Sequence, residues 1–203
     1  MKNLRGLNKK QQLLKRIFDL VFSIFGSFFF LIPILALIII STISLRKIGL
    51  YTQKRVGKHA KMFVMFKIRT MKGNDDGVFI TVKNDPRITP FGKFLRKYKL
   101  DELPQLFNVL IGNMSFVGPR PDVKGYADEL IDDDRIILSV KPGITGPATI
   151  KFKNEEALLE KQTDPLKFND EVIWKEKIAI NKKYIQNWTL LGDVKLILKT
   201  FFG

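Results

Sequence analysis

Leu20-Val21-Phe22-Ser23-Ile24-Phe25-Gly26-Ser27-Phe28-Phe29-Phe30-Leu31-Ile32-Pro33-Ile34-Leu35-Ala36-Leu37-Ile38-Ile39-Ile40-Ser41-Thr42-Ile43-Ser44-Leu45 carries no ionisable side chain. As one helix these 26 residues would extend roughly 39 Å, against a hydrocarbon core of roughly 30 Å. The run is too long for a cleaved signal peptide, and no small-residue cleavage site stands before Arg46-Lys47. Pro33 removes a backbone donor near its middle and favours a kink. Lys9, Lys10, Lys15 and Arg16 precede the run; Arg46, Lys47, Lys54 and Arg55 follow it. Basic residues favour the cytoplasmic side, and here both ends are basic. A re-entrant helix, entering and leaving by one leaflet, satisfies both ends. A kinked spanning helix also tolerates the proline.

The formal charge of +15 gathers around this run. Residues 1–72 hold 15 Lys/Arg and one acid, Asp19; residues 73–203 hold 20 Lys/Arg and 19 acids. Basic residues beside an apolar segment point to anionic lipid headgroups rather than nucleic acid. The chain has no cysteine and one histidine, His59. Thiolate and multi-histidine metal sites are excluded within one chain, so a divalent ion would take oxygen ligands, which favours magnesium. The 203 residues suffice for one domain beside the membrane segment.

Beyond the run, residues 62–71 read as a strand, on which Lys67 and Arg69 share a face. That pair is either an anion site or a solvated or lipid-facing edge. Residues 73–77 read as a turn and 78–82 as a short strand. Helices are expected over 90–98 and 102–110, the second with Asp101 as N-cap, Pro104 in its first turn and Gly112 at its end. Residues 126–140 read as a further helix, 141–147 as a Pro/Gly-constrained loop, and 169–186 and 190–201 as two final helices. Trp174 and Trp188 read as either interfacial anchors or core residues, with core the default.

The chemistry concentrates in Leu100-Asp101-Glu102-Leu103-Pro104-Gln105-Leu106 and Gly118-Pro119-Arg120-Pro121. A carboxylate can act as base, metal ligand or nucleophile. Attack on a phosphoanhydride needs charge neutralisation, which magnesium and arginines supply. Adjacent Asp and Glu at a helix start are also ordinary capping residues. Pro119 and Pro121 restrict the backbone around Arg120, which can hold its guanidinium ready for a phosphate or simply form a tight turn.

These pieces, in order, resemble the bacterial sugar transferases, small monotopic polyprenyl-phosphate phosphoglycosyl transferases. The resemblance rests on Lys15-Arg16-Ile17-Phe18-Asp19, Lys67-Ile68-Arg69-Thr70-Met71, Asp85-Pro86-Arg87 with Thr89 and Gly92, the block from Leu100 to Pro121, and Lys141-Pro142-Gly143-Ile144-Thr145-Gly146. It implies an α/β, predominantly helical fold with an N-terminal re-entrant membrane helix (residues 1–47, with its basic flanks) and a small cytoplasmic catalytic domain (48–203). It implies transfer of a phosphosugar from a nucleotide diphosphosugar, usually a UDP-sugar, to polyprenyl phosphate at the bacterial inner membrane, with UMP leaving. Asp101 would be the nucleophile and Glu102 the magnesium ligand. Pro119, Arg120 and Pro121 would contact the donor, with Lys67, Arg69 and Arg96 as further substrate contacts. Three departures stand out: Ile32 before Pro33 where many relatives have serine, Asn113 for a common aspartate, and Pro147-Ala148-Thr149 for a bulky-Ala-Gln pattern. Larger relatives add N-terminal membrane helices, so the chain is expected to be the minimal catalytic form. The competing expectation is a non-catalytic, membrane-anchored module for anionic lipids or an assembly partner, which makes no use of Asp101, Glu102 or Arg120.

Overall fold

A computed structural model describes residues 5–73 and 85–203. Its first element is a single long helix, α1 (Lys9–Leu45), which continues through Pro33. Asn8 and Gln11 close its start reciprocally: the Gln11 N–H donates to Asn8 Oδ1 and the Asn8 N–H to Gln11 Oε1, both at 2.9 Å. The left-handed Arg46 (φ 51°) ends it. The helix therefore begins well before the apolar run and includes its first basic flank.

The buried residues of α1 are Lys15, Asp19, Ser23, Ser27, Ile34 and Ser41, while Phe25, Phe28, Phe29, Ile32 and Ile43 are 70–85% exposed. A water-facing helix hides apolar groups; this one hides small and polar groups and presents phenylalanine and isoleucine. That inverted pattern belongs to a helix whose outer surroundings are hydrocarbon. The helix is long and apolar enough to cross a membrane. Two of its basic residues do not face lipid, contrary to their reading as headgroup contacts. Lys15 is buried against Asp193. Arg16 donates to the Val109 and Leu110 carbonyls at 2.7 and 2.9 Å.

Strands β1 (Leu50–Val56) and β2 (Met62–Ile68) form an antiparallel hairpin with Gln53 opposite Met65 and Arg55 opposite Phe63. The strand expected over 62–71 stops at Ile68; beyond it, Met71 bridges Ile88. Helix α2 (Pro90–Lys97) starts on Thr89, whose hydroxyl accepts from the Gly92 N–H at 2.9 Å. Helix α3 (Gln105–Ile111) follows a short 3₁₀ turn, Leu100–Glu102. Fully buried Asn108 ties α3 to the free edge of β2: its Oδ1 accepts from the Phe66 N–H at 2.9 Å and its Nδ2 donates to the Val64 carbonyl at 2.7 Å. Phe63 and Met65 from the hairpin pack with Val109 and Met114 beneath this contact.

Strands β3 (Ser115–Val117) and β4 (Gly143–Thr145) pair in parallel. Glycine is required where their ends meet: a Cβ on Gly143 would lie 2.1 Å from the Gly118 nitrogen, and one on Gly146 would lie 2.2 Å from the Gly118 carbonyl oxygen. That close approach seats the 118–121 turn directly on the 141–146 segment. Short helices α4 (Pro147–Lys151), α5 (Glu155–Leu159) and α6 (Pro165–Phe168) lead through a π-helical turn, Asn169–Trp174, into α7 (Lys175–Gln186) and α8 (Leu190–Phe202). Trp188, Ile178 and Ile185 join Val56, Ile137, Leu138 and Val140 in the larger core cluster, with Trp174 packed against it.

Helix predominates beside two small two-stranded sheets, as expected. The helix expected over 126–140 is replaced by two 3₁₀ segments, Ala127–Glu129 and Asp132–Ser139. Leu130 is extended between them and Asp132 is left-handed (φ 47°). Three consecutive aspartates favour a helix's first turn, not its interior, and the chain restarts there. The 78–82 strand, and most of the 73–77 turn, lie outside the described residues.

Candidate active site

Lys99 adopts the left-handed conformation (φ 54°) after α2 and reverses the chain into the 3₁₀ turn that carries Asp101 and Glu102. Neither carboxylate caps α3, contrary to the expectation for Asp101. The residue at the cap position is Pro104, and no side chain bonds the first turn of α3. Proline fits that position through its fixed φ, and it moves the helix start beyond the acids. The carboxylates are thereby free for other partners.

Glu102 is tied twice through one oxygen. Its Oε1 accepts from Lys67 Nζ at 3.1 Å and from Arg120 Nη2 at 2.9 Å. Burial by itself would raise its pKa, but Arg120 and Lys67 outweigh burial and hold the carboxyl well below the usual range. Asp101 is half-buried and makes no hydrogen bond or salt bridge with the described residues. Burial raises its pKa; Lys67 opposes this and the neighbouring Glu102 charge adds to it. Two adjacent carboxylates are thus pushed apart: one locked in the ionised form, one more basic and unengaged.

Lys67 reaches Glu102 from β2. Its pKa is lowered chiefly by burial, with Glu102 opposing and Arg120 adding to the shift. Arg120 is half exposed, between the buried Pro119 and Pro121, and its pKa is raised chiefly by Glu102. The Pro119 carbonyl accepts from the Gly143 N–H at 2.8 Å, which anchors the turn. Arg96 approaches the Met71 sulfur at 3.7 Å, and its charge acts on Asp101. Arg69 is elsewhere: its Nε donates to the Ile48 carbonyl at 3.0 Å and its guanidinium lies 5.1 Å from the Tyr51 ring centroid. The strand ends at Ile68, so the alternation that would set Arg69 beside Lys67 no longer applies.

Two residues not singled out in the sequence belong to this region. Arg55, grouped there with the basic membrane flank, is a β1 residue whose Nη1 donates to the Pro121 carbonyl at 3.3 Å. Asp122 follows the turn; burial pushes its carboxyl up to about 6, against the pull of Lys177, Arg55 and Arg120. The period-two alternation of the hairpin was the available signal: Gln53 and Arg55 share a face with Met65 and Lys67.

Among the described residues no cluster of three or more metal-ligating side chains occurs. The donor set is the pair of carboxylates. Glu102 Oε2 and both oxygens of Asp101 have no protein hydrogen-bond partner among the described residues. Such a set fits magnesium, which is held by one or two carboxylates together with substrate phosphates and waters.

The bacterial sugar transferase family profile matches residues 10–203. An undecaprenyl-phosphate galactose phosphotransferase of Salmonella typhimurium is 35% identical over 212 residues, covering 95% of this chain and 40% of the relative. A UDP-glucose:undecaprenyl-phosphate glucose-1-phosphate transferase of Klebsiella pneumoniae is 36% identical over 204 residues, covering 97% of this chain and 41% of the relative. The chain thus spans about two fifths of the length of these two relatives. An uncharacterized sugar transferase of Bacillus subtilis, EpsL, is 35% identical over 193 residues and is itself 85% covered.

Proposed function

The chain belongs to the bacterial sugar transferase family, and from that membership we propose that it transfers a sugar 1-phosphate from a UDP-sugar to polyprenyl phosphate. The activities by which its relatives are named, on undecaprenyl phosphate, support the substrate pair. The observation that carries the reading is the division between neighbours: Glu102 neutralised by Lys67 and Arg120, Asp101 unengaged beside it.

In this reading an Asp101 oxygen attacks the phosphorus bonded to the sugar. The phosphoanhydride bond breaks and UMP leaves with the bonding pair. A phosphate oxygen of the polyprenyl phosphate then attacks the aspartyl-bound phosphorus, forms the diphosphate and releases Asp101 as carboxylate. Arg120 and Lys67 steady the phosphate charge, and Glu102 would hold magnesium through its second oxygen. When bound, the ion supplies neutralisation of the diphosphate. Pro119 and Pro121 hold Arg120 toward the donor, and Arg96 contributes positive potential at Asp101.

We also propose that α1 is re-entrant, with the catalytic domain on the cytoplasmic face of the inner membrane. Both of its halves bond to the same body. Asp19 Oδ1 accepts from Ser115 Oγ at 3.0 Å, and Ser41 Oγ donates to the Arg69 carbonyl at 2.5 Å. Lys15 and Ser41 would stand roughly 39 Å apart on a straight helix. Contacts along that whole length with one body support entry and exit on one side.

The test is UMP release across a panel of UDP-sugars, with and without magnesium, in the presence of polyprenyl phosphate. No UMP from any sugar would sink the transferase reading. For topology, single cysteines at the exposed Lys10 and Lys54 are labelled in intact cells; external labelling of one end alone would overturn the re-entrant helix.

A further inference from the structure

Arg55 stands on β1 with its guanidinium fully braced. Nε and Nη2 donate to Gln53 Oε1 at 3.0 and 2.6 Å, and Nη1 donates to the Pro121 carbonyl at 3.3 Å. Every one of these acceptors is neutral. Among the described residues no carboxylate lies within the 4.0 Å of a salt bridge to Arg55; Glu102 is bound to Lys67 and Arg120 instead. One N–H on each terminal nitrogen of Arg55 has no acceptor among the described residues.

Its neighbour is another cation. Arg55 and Arg120 line one small cleft, together with Met65, Gln105 and Pro121. Burial, and after it the charge of Arg120, lowers the Arg55 pKa to about 10, while Asp122 and Glu102 pull the other way. Two guanidiniums set close, one with no salt-bridged carboxylate among the described residues, are unfavourable in isolation and become favourable when an anion enters between them. Gln53 and the Pro121 carbonyl fix the plane of the Arg55 fork in advance, which limits the ordering cost of binding.

We propose that Arg55 is a phosphate-binding residue that forms, with Arg120, a two-arginine cradle for phosphoryl oxygens. The ligand is either the diphosphate of the donor or the phosphate of the polyprenyl acceptor, and only that identity rests on the transferase reading. The cradle itself follows from the charge and geometry of the cleft.

The test uses the full chain in nanodiscs and titrates inorganic pyrophosphate, UDP and a short polyprenyl phosphate into wild type, Arg55→Gln and Arg55→Lys. Pyrophosphate affinity is expected to fall about 10-fold or more in Arg55→Gln, with partial recovery in Arg55→Lys, which restores the charge but not the fork. A matching loss for UDP assigns the cradle to the donor; a matching loss for polyprenyl phosphate assigns it to the acceptor. Wild type that binds no pyrophosphate overturns the proposal. So does an Arg55→Gln variant, folded by its melting curve, that binds all three ligands as tightly as wild type. Turnover is measured alongside. Pyrophosphate binding that depends on Arg55 without turnover keeps the cradle and sinks the transferase reading; turnover with binding independent of Arg55 does the reverse.

Discussion

Glu102 Oε1 lies 2.9 Å from Arg120 Nη2, and the same oxygen lies 3.1 Å from Lys67 Nζ. This shared oxygen joins the 3₁₀ turn, the 118–121 turn and strand β2, and it leaves Asp101 as the unengaged carboxylate of the pair.

Asp101→Asn is expected to lower kcat by about 10³-fold or more while leaving the fold intact, because it removes a nucleophile that no other described residue bonds. Glu102→Gln is expected to lower both activity and stability, since it leaves Lys67 and Arg120 without their counter-ion. Steady-state UMP release and thermal melts of both variants check this. An Asp101→Asn chain with full turnover would refute the nucleophile assignment.

The pH–rate profile carries the sign of the Asp101 shift. Attack needs the ionised carboxylate, and burial raises its pKa. Activity should therefore fall on acidification through a value above that of an ordinary aspartate. Glu102, held low, stays ionised across that range. Its contribution to stability is complete above the ordinary glutamate value and is lost as pH falls below it. A rate that stays flat down to the ordinary aspartate value would contradict the Asp101 shift.

Asp122 shows the opposite stability dependence to Glu102. Its pKa rises from 3.8 to about 6 on folding. Stability from this group is complete below 3.8 and is lost as pH rises through about 6. Asp122→Asn should thus stabilise the chain at pH near 8 by about 1–2 kcal/mol, allowing for partial solvent screening. The gain should vanish near pH 4. Denaturant melts at the two pH values measure it, and an equal effect at both would contradict the assignment.

Asp193 is fully buried and accepts from Lys15 Nζ, from the Tyr184 hydroxyl at 2.7 Å and from Trp188 Nε1 at 3.0 Å. Asp193→Asn takes from the buried Lys15 the carboxylate it is bonded to and should cost about 3–5 kcal/mol. Adding Lys15→Met should recover part of that loss, because the buried ammonium that Asp193 had neutralised is then gone. A double variant no more stable than Asp193→Asn would show that Lys15 and Asp193 are not coupled.

Several local features were legible in advance. Pro90 starts a helix, α8 falls within a residue of the expected 190–201, and α7 ends at the expected Gln186, although the first six residues of that expected helix form the π-helical turn Asn169–Trp174. The acid pair and the Pro-Arg-Pro turn carried enough chemistry to be singled out. Other readings failed for identifiable reasons. Asp101 has the residue type of a cap, but Pro104 displaces the start of α3. Lys15, Arg16 and Arg55 have the composition of a membrane flank, yet each is used inside the protein.

By itself the sequence determined the position of the apolar helix, the predominance of helix after it and the two short segments that carry the chemistry. Those depend on hydropathy, periodicity and turn residues, which are properties of neighbours in the chain. Only the tertiary structure decided that Lys67 and Arg120 meet on one oxygen of Glu102, that Arg69 turns away and that Arg55 faces the cleft. The physical reason is that ion pairing depends on strand register and on close backbone contacts such as Gly118 on Gly143. These bring together residues far apart in sequence, and no local pattern encodes their meeting.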